Sequence, residues 1–153
     1  TMKQKKFGEF DFKKFHPSGS LGAKLKTVED LMITGKKVPF INENLKMKDA
    51  LKIITKKKLG VLIVVNSKKE TSGIITDGQI RRTIQKNKDL QNLPIKKVMT
   101  LNPISVSKDM LAAKALSLMN SKKITSLCIN NKKSKYKTIG IIHIHNILEA
   151  NVL

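Results

Sequence analysis

The residues in this chain best suited to chemistry fall in one short run, Gly73-Ile74-Ile75-Thr76-Asp77-Gly78-Gln79-Ile80-Arg81-Arg82. An apolar stretch that reads as a buried strand breaks at Thr-Asp-Gly and passes into a helix carrying two adjacent arginines. Thr76, Asp77 and Gln79 are hydrogen-bonding groups at that helix start, where partial positive charge favours a phosphate. Arg81 and Arg82 carry guanidinium forks that match phosphate or carboxylate. Adjacent helical residues point about a hundred degrees apart, so at most one of the two is expected to face a cleft. The same form returns as Gly140-Ile141-Ile142-His143-Ile144-His145-Asn146-Ile147. On a strand alternate residues share a face, so His143 and His145 would form a two-histidine metal pair. No third ligand accompanies them in the sequence, and His143 occupies the repeat position of Thr76. Cleft lining or ligand contact is therefore the better reading, with no metal site. A strand that ends in polar groups at a helix start, used twice, implies two related half-sites rather than one catalytic centre. The same turn would serve equally as a capped strand–helix junction without a ligand.

The elements that position these groups also come in two copies. Asp30-Leu31-Met32 matches Lys97-Val98-Met99, and each is followed by a polar turn and an extended piece, 38–41 and 104–106. Asn44 and Asp109 then stand where N-caps belong. Behind them Met47, Ala50, Leu51 and Ile54 fall at i, i+3, i+4 and i+7, as do Ala112, Ala115, Leu116 and Met119. Both predicted helices end in lysines, a favourable charge at a helix C-terminus. Continuous apolar strands follow at 61–65 and 127–129, and turns at 66–72 and 130–137 lead into the two polar motifs. Met47 aligns with Ala112 at an offset of 65 residues and Gly73 with Gly140 at an offset of 67. The difference is read as an insertion in a surface hairpin of the second copy. The result is two strand–helix–strand–strand–helix repeats of about 60 residues, each marginal alone and so expected to pack as one unit. Repeats of this kind pair about a pseudo-twofold axis and leave clefts where the strand ends meet.

Composition narrows the partners. The chain has 153 residues and a net charge of +20, which raises the question of nucleic acid. Only Arg81 and Arg82 are arginines; the rest of the positive charge is lysine, scattered along the whole length, and aromatics for base stacking are few. A specific nucleic-acid partner is not expected. No apolar run reaches membrane-spanning length and the first residues lack a signal-peptide apolar region, so no membrane partner is expected. The single cysteine, Cys128, has no internal disulfide partner, which fits a reducing cytoplasm, and its apolar strand suggests inert core. The sequence opens on Thr1 rather than Met, which suggests a piece of a longer protein. Phe7, Phe10, Phe12 and Phe15 lie among lysines, and their natural core is expected upstream of the chain. Pro17 then holds His16 extended in a turn-rich segment.

The repeat resembles the cystathionine-β-synthase (CBS) domain pair over residues 28–153. Four segments resemble more specifically the D-arabinose-5-phosphate isomerases: Phe-His-Pro-Ser-Gly-Ser-Leu-Gly at 15–22, Asp-Leu-Met-Ile-Thr-Gly at 30–35, Gly-Ile-Ile-Thr-Asp-Gly-Gln-Ile-Arg-Arg at 73–82, and Ile-Ile-His-Ile-His-Asn-Ile-Leu at 141–148. The resemblance implies an α/β (α+β) tandem CBS-domain pair, with two βαββα repeats about a pseudo-twofold axis. Residues 1–27 would be a linker from a sugar-isomerase domain, 28–90 the first repeat and 91–153 the second. That family interconverts ribulose 5-phosphate and arabinose 5-phosphate through an enediol and supplies the sugar Kdo for lipopolysaccharide.

The resemblance implies that His16, the histidine of the His-Pro-x-Gly motif, is an active-site residue only together with the isomerase domain. That domain carries the family's catalytic lysine and glutamates. The chain as given would be catalytically silent and would act as a regulatory module. In CBS domains the threonine and an acid three residues later hold a ribose, which implies a ligand role for Thr76, with Asp77 beside it at the helix start. Here the acid positions are Gln79 and Asn146, amides that lose charge-assisted strength and put the usual adenosine nucleotide in question. The segment before each central strand lines the cleft in the family, which adds Gly60, Thr125 and Ser126 to Arg81, His143, His145 and Asn146, with Lys58 and Lys123 nearby. No cofactor is required; the candidate effectors are CMP-Kdo or an adenosine nucleotide. The implied partners are the chain's own isomerase domain, a homodimer of CBS pairs and a tetramer in the full-length protein. A pair that only holds the oligomer together, without binding a ligand, is the alternative.

Overall fold

The structure, a computed structural model, describes residues 25–150. His16, the phenylalanine cluster and the linker expected at 1–27 lie largely or wholly outside the described residues. The first repeat runs β2 (Phe40–Asn42), α2 (Met47–Lys57), β3 (Val61–Val65), β4 (Thr71–Thr76) and α3 (Asp77–Lys86). The second runs β6 (Ser105–Val106), α4 (Ala112–Lys122), β7 (Ser126–Asn131), β8 (Ser134–His143) and α5 (Ile144–Glu149). Short elements precede each: α1 (Val28–Leu31) and β1 (Ile33–Thr34) before the first, β5 (Thr100–Leu101) before the second. This is the βαββα order expected from the sequence.

Two four-stranded sheets result, β2-β3-β4-β5 and β1-β8-β7-β6. In each, a parallel pair (β2 with β3, β6 with β7) is followed by an antiparallel hairpin. The fourth strand is exchanged. β1 precedes the first repeat but pairs with β8 of the second, and β5 precedes the second but pairs with β4 of the first. Glycine makes the exchange possible. A Cβ at Gly73 would stand 2.5 Å from the Thr100 carbonyl oxygen, and one at Gly140 would stand 2.8 Å from that of Ile33.

Three apolar layers follow from the periods read in the sequence. Met47, Ala50 and Ile54 of α2 meet Leu62, Val64, Ile75 and Ile80 in one core. Ala112, Ala115, Leu116 and Met119 of α4 meet Leu127, Ile129, Ile142 and Ile147 in another. Between the sheets lie Val61, Ile63 and Val65 with Cys128 and Ile141. Strand β3 is apolar at every position because both of its faces are buried, which explains the unbroken Val-Leu-Ile-Val-Val run. Thr71 and Thr138 share a hydrogen bond of 2.6 Å between their hydroxyls.

One local expectation fails for a physical reason. Asn44 and Asp109 are not the helix caps; Lys46 and Leu111 are. The chain stays extended past the expected caps because the backbone pairs with the segment leading into the other repeat. Met47 N–H donates to the Leu93 carbonyl and Ala112 N–H to that of Lys26, each at 2.8 Å. Bridges Lys46–Pro94 and Thr27–Leu111 flank them. Tertiary backbone bonds thus displace the local cap. The two-residue insertion falls in the second hairpin, as expected. Asn130 pairs with Thr138 where Val65 pairs with Thr71, and the extra residues extend the hairpin through a further irregularity between Asn130 and Asn131, before Asn131 opposes Ser134.

Candidate functional site

Each polar motif sits at a strand-to-helix junction, and the two junctions share one construction. Asp77 N–H donates to the Gly60 carbonyl at 3.0 Å, and Ile144 N–H donates to the Thr125 carbonyl at 2.8 Å. Each helix start is thereby tied to the residue that opens its repeat's central strand. Thr76 is the N-cap of α3: its hydroxyl accepts from Gln79 N–H, and Gln79 Oε1 accepts from Thr76 N–H at 2.8 Å. The Gln79 amide nitrogen also donates to the Thr100 hydroxyl, so the side chain clips α3 to the exchanged β5 strand. Gly60 lies at φ +71, and a Cβ there would stand 2.9 Å from Asp77 Oδ2. A side chain at this position is disfavoured by the backbone conformation and would have to displace the Asp77 carboxylate.

His143 takes the place of Thr76 in the second junction. Its Nδ1 accepts from His145 N–H at 3.1 Å, and Asn146 Oδ1 accepts from His143 N–H at 2.8 Å. An accepting Nδ1 leaves the ring proton on Nε2. The expectation that His143 and His145 share a strand face does not hold, because β8 ends at His143 and His145 belongs to α5. The rings instead stack with centroids 4.7 Å apart. Burial, and then the charge of His145, hold the His143 imidazole below its ordinary range.

The two halves meet in a cleft of 650 Å³. Gly60, Thr76, Asp77, Gln79 and Arg81 line it from the first repeat, and Thr125, Ser126 and His143 from the second. His145 and Asn146 do not; the His145 ring stacks on His143, and Asn146 Oδ1 takes part in the capping of α5. Lys58, too, is not among the lining residues, but Lys123 is. Arg82 lines the cleft together with Arg81, contrary to the expectation of one arginine at most. It curls back along α3, so that its Nη1 would stand 3.2 Å from a Cβ on Gly78. A long side chain overcomes the helical divergence of the two Cα atoms.

Sequence reasoning missed the segment Thr100, Asn102, Pro103 and Ile104, which forms another wall. Asn102 adopts φ 54, as Gly35 adopts φ 66 at the matching place in the first copy. The Asn-Pro pair was the available signal. Leu59, Ile74 and Ile124 give the cleft an apolar side. Cys128 also borders it, but burial pushes its thiol up to about 12, so it stays protonated and unreactive.

The electrostatics favour an anion. Arg81, Arg82 and Lys123 face one carboxylate, Asp77, and among the described residues no ion pair engages the three cations. Ser126 Oγ is buried with no hydrogen-bond partner among the described residues, so its hydroxyl is free to bond a polar group in the cleft. The set contains donors, a helix start and cations in a concave, part-apolar pocket, which is an arrangement for binding.

Comparison with known proteins agrees with this geometry. The family model described as CBS domain matches residues 28–86 and 95–152. The chain is similar to the arabinose 5-phosphate isomerase KdsD of Salmonella typhimurium, at 37% identity over 99% of this chain and 46% of the relative. The KdsD of Escherichia coli is 36% identical over the same shares. The chain therefore spans about half the length of the curated relatives it matches. Among solved structures, the CBS domain pair of protein MJ0100 in complex with 5′-methylthioadenosine and S-adenosyl-L-methionine has a TM-score of 0.73 and 22% identity. That match covers 82% of this chain and 94% of that one. The protein CBSX2 in complex with AMP has a TM-score of 0.69 and 23% identity, over 82% and 95%.

Proposed function

The chain belongs to the CBS domain family, with two repeats in tandem, and we propose that it is the effector-binding module of an arabinose 5-phosphate isomerase. The observation that carries this reading is the cleft shared by both repeats, where three cations and the Ser126 hydroxyl, unpaired among the described residues, surround one space with the α3 N-terminus. An anionic nucleotide or nucleotide-sugar enters it, either CMP-Kdo or an adenosine nucleotide. Its phosphate lies between Arg81, Arg82 and Lys123, with the α3 dipole behind it. Hydroxyls of the ligand bond to Thr76, Ser126 and His143, while Gly60 and Asp77 shape the approach and Thr125 closes the far side. Gln79 holds α3 to β5 beside the ligand. His145 and Asn146 act one step away, by orienting His143.

Regulation follows from linkage. An effector that binds one arrangement of CBS pairs more tightly shifts the attached isomerase domains toward it. Catalysis belongs to that domain, with His16 delivered to its active site from the linker, in the cytoplasm, within an oligomer built on paired modules. The relatives' isomerase name, and the adenosine compounds bound by the structural neighbours, support this reading.

The test is thermal unfolding with CMP-Kdo and with AMP. A ligand at about 100 times its Kd adds about 2.7 kcal/mol of stability, a rise of several degrees for a domain of this size. No shift with either compound at millimolar concentration rejects effector binding; a dimer that binds nothing would instead be an oligomerisation scaffold. Isomerisation of ribulose 5-phosphate by this chain alone would reject the assignment of catalysis to the other domain.

A further inference from the structure

The polar surface of α3 does not end at the cleft. On the outer side of the same helix lies a second concavity of 460 Å³. Gln79, Arg82, Thr83 and Lys86 fall at i, i+3, i+4 and i+7 and make one wall. Lys97 faces them from the 3₁₀ turn Ile95–Lys97, over a floor of Leu93 and Val98. Among the described residues no carboxylate lines this groove. Among the described residues no ion pair engages Arg82, Lys86 or Lys97. Gln79 and Arg82 border both concavities, so the cleft and the groove meet at these two side chains.

Surface lysines alone would mean little in a chain of charge +20. The arginines mean more. Of 31 basic residues only Arg81 and Arg82 are arginines; both line the cleft, and Arg82 lines the groove as well. A guanidinium presents donors on more than one edge and can bridge two anionic groups, which a lysine ammonium does poorly. Thr83 adds a hydroxyl whose proton is donated to the Gln79 carbonyl at 2.7 Å, so its lone pairs remain as acceptors for a ligand hydroxyl.

We propose that the cleft and the outer groove form one composite site for a nucleotide that carries a second anionic group beyond its first phosphate. The first phosphate sits between Arg81 and Arg82. The second group, a further phosphate or the carboxylate of a linked sugar acid, sits between Arg82, Lys86 and Lys97. The proposal rests on the nucleotide reading of the cleft and makes it specific: mononucleotides fill half of the site.

Calorimetric titration of the chain with two pairs of probes tests this, AMP against ADP and CMP against CMP-Kdo. In at least one pair the extended probe binds about tenfold more tightly, as one added charge-assisted contact requires. A gain confined to the first pair identifies a phosphate as the second group, and a gain confined to the second pair a sugar-acid carboxylate. The double variant Lys86→Gln, Lys97→Gln removes that gain and leaves AMP and CMP affinities within about twofold. The control Lys52→Gln, Lys114→Gln makes the same charge change on exposed faces of α2 and α4 that line neither concavity, and keeps the gain. Mononucleotide binding with no gain in either pair overturns the composite site and leaves the cleft reading intact. Equal loss in the control overturns it as well, because total charge would then account for the effect. Absence of binding by all four probes removes the cleft reading and this proposal together.

Discussion

The two repeats share a backbone and differ in charge. Asp77 and Ile144 bond back to Gly60 and Thr125 in the same way, and Gly73 and Gly140 admit the exchanged strands in the same way. At the offset of 67 residues, however, Arg81 and Arg82 become Leu148 and Glu149, and Thr76 becomes His143. The first junction therefore presents a hydroxyl and two guanidinium groups. The second presents an imidazole stacked on its neighbour, an apolar side chain and a carboxylate. Gln79 reaches across to Thr100, whereas the shorter Asn146 serves its own helix start. Duplication of the fold has not duplicated these charges. The proposed composite site therefore belongs to the first repeat's helix, with walls from the second repeat.

The largest test strikes the shared feature. Gly73→Val drives a side chain into the Thr100 carbonyl and costs about 3 kcal/mol or more, and Gly140→Val costs somewhat less because Ile33 leaves slightly more room. Urea unfolding measures both, and equal costs near zero would mean that the strand exchange contributes nothing. Next comes the charge difference. Arg81→Gln weakens nucleotide binding by about tenfold, the value of one charge-assisted pair, while Leu148→Gln leaves binding unchanged; calorimetry with a stoichiometry of one ligand per chain accompanies it.

A smaller effect should be the same in both halves. Lys58 and Lys123 close α2 and α4 at φ 58 and φ 57, a conformation that costs a non-glycine residue strain. Lys58→Gly and Lys123→Gly each stabilise the fold by about 0.5–1 kcal/mol, read as a rise in Tm. The smallest is a slope with pH. His143 is held neutral in the fold, so the unfolded chain takes up its proton first as pH falls. Stability from this group is complete above the ordinary imidazole value of 6.5 and declines as pH drops below it. His143→Thr, which copies the first repeat, flattens that slope in unfolding measurements between pH 7 and 5, chosen to span the ordinary range.

The legible part of the fold was the part carried by local periods. The helices at Met47–Lys57 and Ala112–Lys122 follow from apolar spacing, and β3 from an unbroken apolar run. Thr76 and His143 were found because a repeated motif marks where strand ends meet, and Gly60 and Ser126 because the family resemblance pointed to the segment before each central strand. The illegible part was carried by contacts distant in sequence. β1 and β5 are two residues each and have no strand pattern of their own; a sheet edge in the other repeat makes them strands. The caps moved from Asn44 and Asp109 to Lys46 and Leu111 for the same reason.

The sequence alone therefore determined that two βαββα units exist, which of their residues are apolar on which face, and that both arginines stand on one helix. Hydrophobic period and turn chemistry act over a few residues, so they can be read in order along the chain. Only the tertiary structure decided which unit each leading segment joins, that both arginines reach the same cleft, and that Asn102, Pro103 and Ile104 complete it. Those outcomes depend on the packing of one sheet against the other. The strand-to-helix turn at Thr76 was visible from the start; what surrounds it became visible only when the second repeat was laid across it.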